Sequence, residues 1–233
     1  MSEQLVFDLP QRVALGRDMF LVADSNAQAI ALIDGFSSWP EPTQWLYGPA
    51  GCGKTHLAAV LAQQVDAHLL DAADLADNAA VAQILAGDVK PDVVIIDGLD
   101  ALAAAQEEPL FHLLNHARNG GVPLLLLSRA PAAQLALTLP DLQSRLKAVA
   151  AIELGLPDDA LIAGLLGKLF HDRQLSADAR VVDFLLPRID RDYAAMGRLV
   201  ADIDRAALSA HRALTVPLVA EVLQASRFEA DED

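Results

Sequence analysis

The stretch GPAGCGKT, residues 48–55, sets glycine, lysine and threonine at the spacing G-x-x-x-x-G-K-[ST]. That chemistry is phosphate binding. Glycines let a chain fold tightly around an anion, so that successive backbone N–H groups and the start of a following helix point at it. Lys54 then reaches the β- and γ-phosphates, and the Thr55 hydroxyl holds Mg2+. The candidate nucleotide-binding residues are Gly48, Pro49, Ala50, Gly51, Cys52, Gly53, Lys54 and Thr55. The ligand is ADP or ATP, a choice these residues leave open. Cys52 reads as a small loop residue despite its place beside a helix start.

A phosphate loop of this kind needs an acid on a neighbouring buried strand. VVIID, residues 93–97, supplies Asp97 after four apolar residues, where it can hold the magnesium water shell with Thr55. Related ATPases carry a second carboxylate directly after the first, to orient water. This chain has Gly98 there, and the next acid is Asp100. Tight nucleotide binding with weak hydrolysis by the chain alone is the expectation. Ser128 closes the apolar run VPLLLLS (122–128), a strand expected beside the loop strand, where a hydroxyl could touch the γ-phosphate or the water. His112 and His116 stand four apart, a metal-ligand spacing, but lack HExxH and a third ligand, so they read as helix-surface or packing residues.

The elements that must position these groups follow from periodicity and breakers. Helices are predicted over 25–36 (capped by Ser25 or Asn26, ended by Gly35), 53–65, 74–87, 106–121 and 141–149. Strands are predicted over 43–48, 67–72, 91–97, 122–128 and 150–154. Alternating strand and helix means a parallel sheet with helices on both faces. After residue 156 only helical segments appear, with Ser176 and Thr215 as caps and Pro217 in a first turn. The expected organisation is an N-terminal segment (1–18), an α/β nucleotide-binding domain (19–156) and an all-α domain (157–233).

Composition bounds the function. The 233 residues suffice for one large domain, or for a core with a smaller second domain. A net charge of −15 argues against a protein whose main work is gripping DNA. Cys52 is the lone cysteine, so no intramolecular disulfide forms. No secretory signal or membrane-length apolar run is present, and a cytoplasmic location is expected. Against this acidic background, QLVFDLP (4–10) is an apolar strip beside a chain end. It is either a first strand or a docking peptide.

Taken in order, these segments resemble the AAA+ family, and within it the group formed by the bacterial initiator DnaA and its short relative Hda. GKTHL (53–57) resembles DnaA in the His-Leu that follows the loop, which adds His56 to the nucleotide site. QEEPLFHLLNHARNGGVPLLLLSRAP (106–131) resembles a DnaA segment in order and spacing, with Ser128 at sensor one and Arg129 where DnaA has an aspartate. LQSRL (142–146) resembles the arginine-finger stretch, which implies that Arg145 acts in trans. FLVADSNAQAI (20–30) is similar to the segment that packs near adenine. The resemblance covers roughly residues 4–228 and implies an AAA+ α/β fold with a helical lid. The lid arginine that senses phosphate falls near Ala194 in this comparison, with Arg191 and Arg198 one turn to either side and Arg198 the first candidate.

The resemblance also implies partners. Hda proteins are similar to one another in an N-terminal clamp-binding peptide, which QLVFDL (4–9) matches. Leu5, Phe7 and Leu9 would enter an apolar groove and Gln4 would make polar contacts. The implied function is negative regulation of DNA replication initiation: with the DNA-loaded sliding clamp (the DNA polymerase III beta subunit), ATP hydrolysis by DnaA is stimulated and DnaA is inactivated. No sequence-specific DNA binding is expected, since the helix-turn-helix domain of DnaA has no counterpart here. AAA+ proteins associate head to tail, so a homo-oligomer is a further expectation. The competing reading is a DnaC- or IstB-like helicase-loader ATPase, which would need a basic groove. A small P-loop kinase is a third, without a visible second-substrate pocket.

Overall fold

The structure is a computed structural model, and it describes residues 21–230 apart from 77, 192 and 211. The strip Gln4, Leu5, Phe7 and Leu9 and the segment 1–18 lie outside the described residues. Five strands form one parallel sheet: β1 (Thr43–Tyr47), β2 (Ala67–Asp71), β3 (Val93–Asp97), β4 (Leu124–Ser128) and β5 (Ala151–Glu153). Their order across the sheet is β2-β3-β4-β1-β5. α1 (Ala27–Asp34) precedes the first strand, and the helices between the strands are α2 (Lys54–Gln64), α3 (Ala79–Ala86), α4 (Ala104–Arg118) and α5 (Pro140–Ala148). The central strands are buried on both faces, which is why they read as unbroken apolar runs. Each fully buried leucine of β4 is worth about 1.5–3 kcal/mol relative to exposure.

Strand alternation divides the core in two. Trp45, Val94, Ile96, Leu124 and Leu126 face α4 and α5, while Leu46, Val93, Ile95, Leu125 and Leu127 face α1 and α2. Each strand end therefore delivers its last side chain to one defined face. Beyond β5 come α6 (Asp159–Asp172), α7 (Ala179–Leu185), α8 (Tyr193–Ala210) and α9 (Val216–Ala230). They close around a third core of their own, with Phe170, Leu185, Met196 and Val200 in it. The two parts meet where Leu21 lies against α6: a Cβ on Gly164 would come within 2.7 Å of it.

Three helix starts depart from the sequence expectation. α3 begins at Ala79 rather than 74, because Asn78 caps it by accepting from Ala80 N at 3.0 Å. α4 begins at Ala104 and so carries Pro109 beyond its first turn. α7 is capped by Asp178, which accepts from Arg180 N, and not by Ser176. At α1 the N-cap residue is Asn26, but its amide turns backward, donating to Leu21 O and accepting from Ala23 N. That ties 21–26 into a compact hook, and Gly155 N donates to Ser25 O across it.

Candidate functional site

The site lies at the carboxyl ends of β1, β3 and β4, the edge of a parallel sheet where ligands bind. β1 runs into the loop 48–53, which turns through Gly51 and Gly53 at φ +77° and +103°. Gly48 passes so close to β5 that a Cβ there would lie 2.1 Å from Leu154 O. No side chain caps the start of α2, the end of a helix that attracts a phosphate. Lys54 is buried, and its ammonium donates to Gly48 O (2.7 Å) and Pro49 O (2.9 Å), with Cys52 Sγ at 3.5 Å. The lysine is thus folded into the cradle that the loop makes. Among the described residues no group of three or more metal-ligating side chains occurs, which leaves His112 in a helix-surface pair with Glu108 at 3.6 Å.

Thr55 donates its hydroxyl to Asp97 Oδ2 at 2.7 Å. The two oxygens come from different elements and meet beside the loop, a donor set that suits a hard cation such as Mg2+. Asp97 Oδ1 also accepts from Gly98 N at 2.7 Å, which fixes the carboxylate. Gly98 takes φ +78°, and the 3-10 turn behind it carries Asp100. Asp100 is engaged elsewhere: it accepts from Arg129 N at 2.8 Å, and Arg129 Nε lies 3.5 Å away. His56, in the first turn of α2, is half-buried, and burial holds its imidazole below the usual histidine range, hence neutral at pH 7.

Ser128 ends the strand beside the loop strand but faces away from this site. Its strand does neighbour β1, with Tyr47 opposite Ser128. Its side chain, however, falls on the α4 face with Leu124 and Leu126, whereas Asp97 follows Val93 and Ile95 on the α2 face. Ser128 is 1% exposed; it accepts from Trp45 Nε1 at 2.8 Å and donates to Ala130 O at 2.6 Å. The hydroxyl gives its proton to Ala130 O and a lone pair to the Trp45 indole. Replacing Ser128 by Ala would orphan the buried indole N–H, at about 1–3 kcal/mol. We expect a lowered melting midpoint with unchanged nucleotide affinity, and parallel thermal melts and nucleotide titrations check it.

Arg145 sits in the last turn of α5, at the opposite edge of the sheet from the loop. Its guanidinium stacks on Phe111 of α4, 4.8 Å from the ring centre. It lines a cleft with Thr43, at the amino end of β1, and Ala150, which leads into β5. The loop follows the carboxyl end of β1, five residues away, or roughly 16 Å of strand. Arg145 therefore does not face its own chain's phosphate loop.

A residue the sequence reading passed over sets α5 in place. Glu107 of α4 is buried and accepts from Thr138 N (2.8 Å), Thr138 Oγ1 (3.0 Å) and Leu139 N (2.6 Å), just ahead of α5. Burial alone would raise its carboxyl, but the three hydrogen bonds together outweigh it and hold the group below the usual glutamate range. With the folded pKa depressed, the unfolded chain binds more protons in the acid window. The Glu107 contribution is therefore complete above the unfolded pKa near 4.5 and is lost as pH falls through the folded value. Glu107→Ala should cost about 2–3 kcal/mol at neutral pH, and urea melts should show the gap to wild type closing below that window.

The lid arginines divide. Arg191 donates to Pro157 O and pairs with Asp159, so it ties the start of α8 to the segment leading into α6. Arg198 lies on the exposed side of α8, away from Met196 and Val200. No contact with the loop is formed by either among the described residues.

Comparison with known proteins adds the family. Residues 45–139 match the family model for the ATPase family associated with various cellular activities (AAA), and residues 163–223 match that for the Hda lid domain. The chain is an Hda-like, DnaA-related AAA+ protein. Domain III of the Thermotoga maritima replication initiation protein DnaA is 17% identical, with 93% of this chain and 98% of that one covered at a TM-score of 0.76. AMPPCP-bound DnaA from Aquifex aeolicus is 20% identical, covering 78% and 62% at 0.65. The Thermotoga maritima RuvB Holliday junction branch migration motor is 19% identical, covering 88% and 70% at 0.69. At such identities the likeness shows the fold, an AAA+ α/β domain with a helical lid. No helix among the described residues is long and apolar enough to cross a membrane.

Proposed function

We propose that this chain is a cytoplasmic regulator of replication initiation that stimulates ATP hydrolysis by DnaA and so inactivates it, working from the DNA-loaded sliding clamp. The observation that carries the reading is the position of Arg145. It stacks on Phe111 at the sheet edge away from its own phosphate loop, and a guanidinium so placed can serve another molecule's nucleotide. The match to an Hda lid and the nucleotide-bound DnaA neighbours support DnaA as that molecule and ADP or ATP as this chain's own ligand.

In this reading Lys54 exchanges the Gly48 and Pro49 carbonyls for phosphate oxygens, and Thr55 with Asp97 would hold Mg2+, which offsets the phosphate charge when bound. The chain's own hydrolysis is weak, since Gly98 stands where an acid would orient water and Asp100 is held by Arg129. The nucleotide sets the arrangement of the α/β domain (19–156) and the lid (157–233), with Arg198 the first candidate for the lid arginine that senses phosphate. Gln4, Leu5, Phe7 and Leu9 tether the chain to the clamp. Arg145 then enters the site of ATP-DnaA and offsets charge developing on the transferred phosphoryl group.

The test is ATP hydrolysis by preloaded DnaA with loaded clamp, with and without this chain. Stimulation that needs both the chain and the clamp supports the reading. A DnaA rate indifferent to the chain sinks it.

A further inference from the structure

The cleft that holds Arg145 also holds Arg118, the last residue of α4, and here the charge of the molecule departs from its average. The chain has 32 acidic against 17 basic residues. Arg129, Arg191, Arg205 and Arg212 each face a carboxylate, of Asp100, Asp159, Asp202 and Glu221. Arg118 and Arg145 form no ion pair among the described residues, although both line one cleft of about 540 Å3. Glu41 is the single acid among the described residues that line it. Two cations in a cleft walled partly by Leu114 and Val149 concentrate positive potential, because low-dielectric walls focus the field. They repel one another until an anion lies against both.

The two groups differ in how they are held. Arg145 is half-buried and pinned on the Phe111 ring. Arg118 is exposed and has no ring or carboxylate to hold it among the described residues. A pinned guanidinium is suited to a charge that appears at one point in a reaction; a free one at the mouth is suited to capture.

We propose that Arg118 is a second anion-binding residue of this cleft, contacting the polyphosphate of the same DnaA-bound ATP that Arg145 enters. This rests on the function proposed above. Its role is affinity, where that of Arg145 is rate. The alternative is a charge that merely suits the carboxyl end of α4; it would alter stability and leave association alone.

The experiment titrates intact Arg118→Ala, Arg118→Lys and Arg145→Ala chains into ATP-DnaA with loaded clamp and reads the saturating hydrolysis rate and the half-saturating concentration, with thermal melts alongside. Losing a charge-assisted contact should raise the half-saturating concentration of Arg118→Ala about tenfold or more, with little change in the saturating rate. Arg118→Lys should recover part of it. Arg145→Ala should do the reverse. In a direct binding titration run in parallel, the weakening should be present with ATP-DnaA and absent with nucleotide-free DnaA. An unchanged half-saturating concentration in Arg118→Ala overturns the proposal, and equal weakening with nucleotide-free DnaA overturns the phosphate assignment. If Arg145→Ala is also without effect, the function proposed above fails as well, so the two failures are distinguishable.

Discussion

Replacing Arg145 by Ala should abolish most of the stimulation of DnaA while leaving this chain folded and nucleotide-bound. Arginine fingers supplied in trans are worth about 10³–10⁵ in rate, so a loss of at least about a hundredfold is expected at saturation. Lysine should rescue poorly, since it offers a point charge without the planar fork and stacks less well on Phe111. The structural cost should be small. Arg145 is half-buried, and its guanidinium rests on the face of the Phe111 ring rather than on a buried acid. Single-turnover hydrolysis on DnaA, with the melting midpoint as control, checks both halves. A variant that melts normally and still stimulates fully would remove Arg145 from the mechanism.

The second large effect concerns the clamp. The double variant Gln4→Ala, Phe7→Ala should bind the sliding clamp at least about a hundredfold more weakly, because a few anchors carry most of the energy of a docked peptide. Nucleotide binding should be unchanged. The measurement is clamp affinity by calorimetry or surface immobilisation, with intact chain as reference. A variant that instead fails to fold would assign the strip to the core.

The α/β order and the phosphate loop were legible because both rest on local signals. Buried strands of a parallel sheet show as apolar runs, and the loop shows as glycines at fixed spacing beside lysine and threonine. Asp97 was legible for the same reason, at the end of such a run. Ser128 was placed at the right strand end, but not on the right face. The parity that decides it is visible in the sequence, since 124, 126 and 128 share one side, yet only the pairing with Trp45 on β1 says which side α4 covers. Glu107 was not legible, because its partners lie 31 and 32 residues away in a turn whose location depends on the whole fold. The α3 and α7 starts were misplaced for a smaller reason. Each region offers several capping residues, and Asn78 and Asp178 are the ones whose side chains accept from first-turn N–H groups. Arg191 belongs to the same class as Glu107: its commitment to Pro157 and Asp159 spans the step into the helical lid.

In the proposed mechanism the ATP hydrolysed is the partner's, and this chain's own nucleotide is a structural ligand. The direct measurement labels the two separately: DnaA preloaded with radiolabelled ATP and this chain with unlabelled nucleotide, and then the reverse, each with DNA-loaded clamp. Labelled ATP should convert rapidly to ADP in the first arrangement and slowly in the second. Fast turnover of the label on this chain, with the DnaA-bound label unchanged, would contradict it.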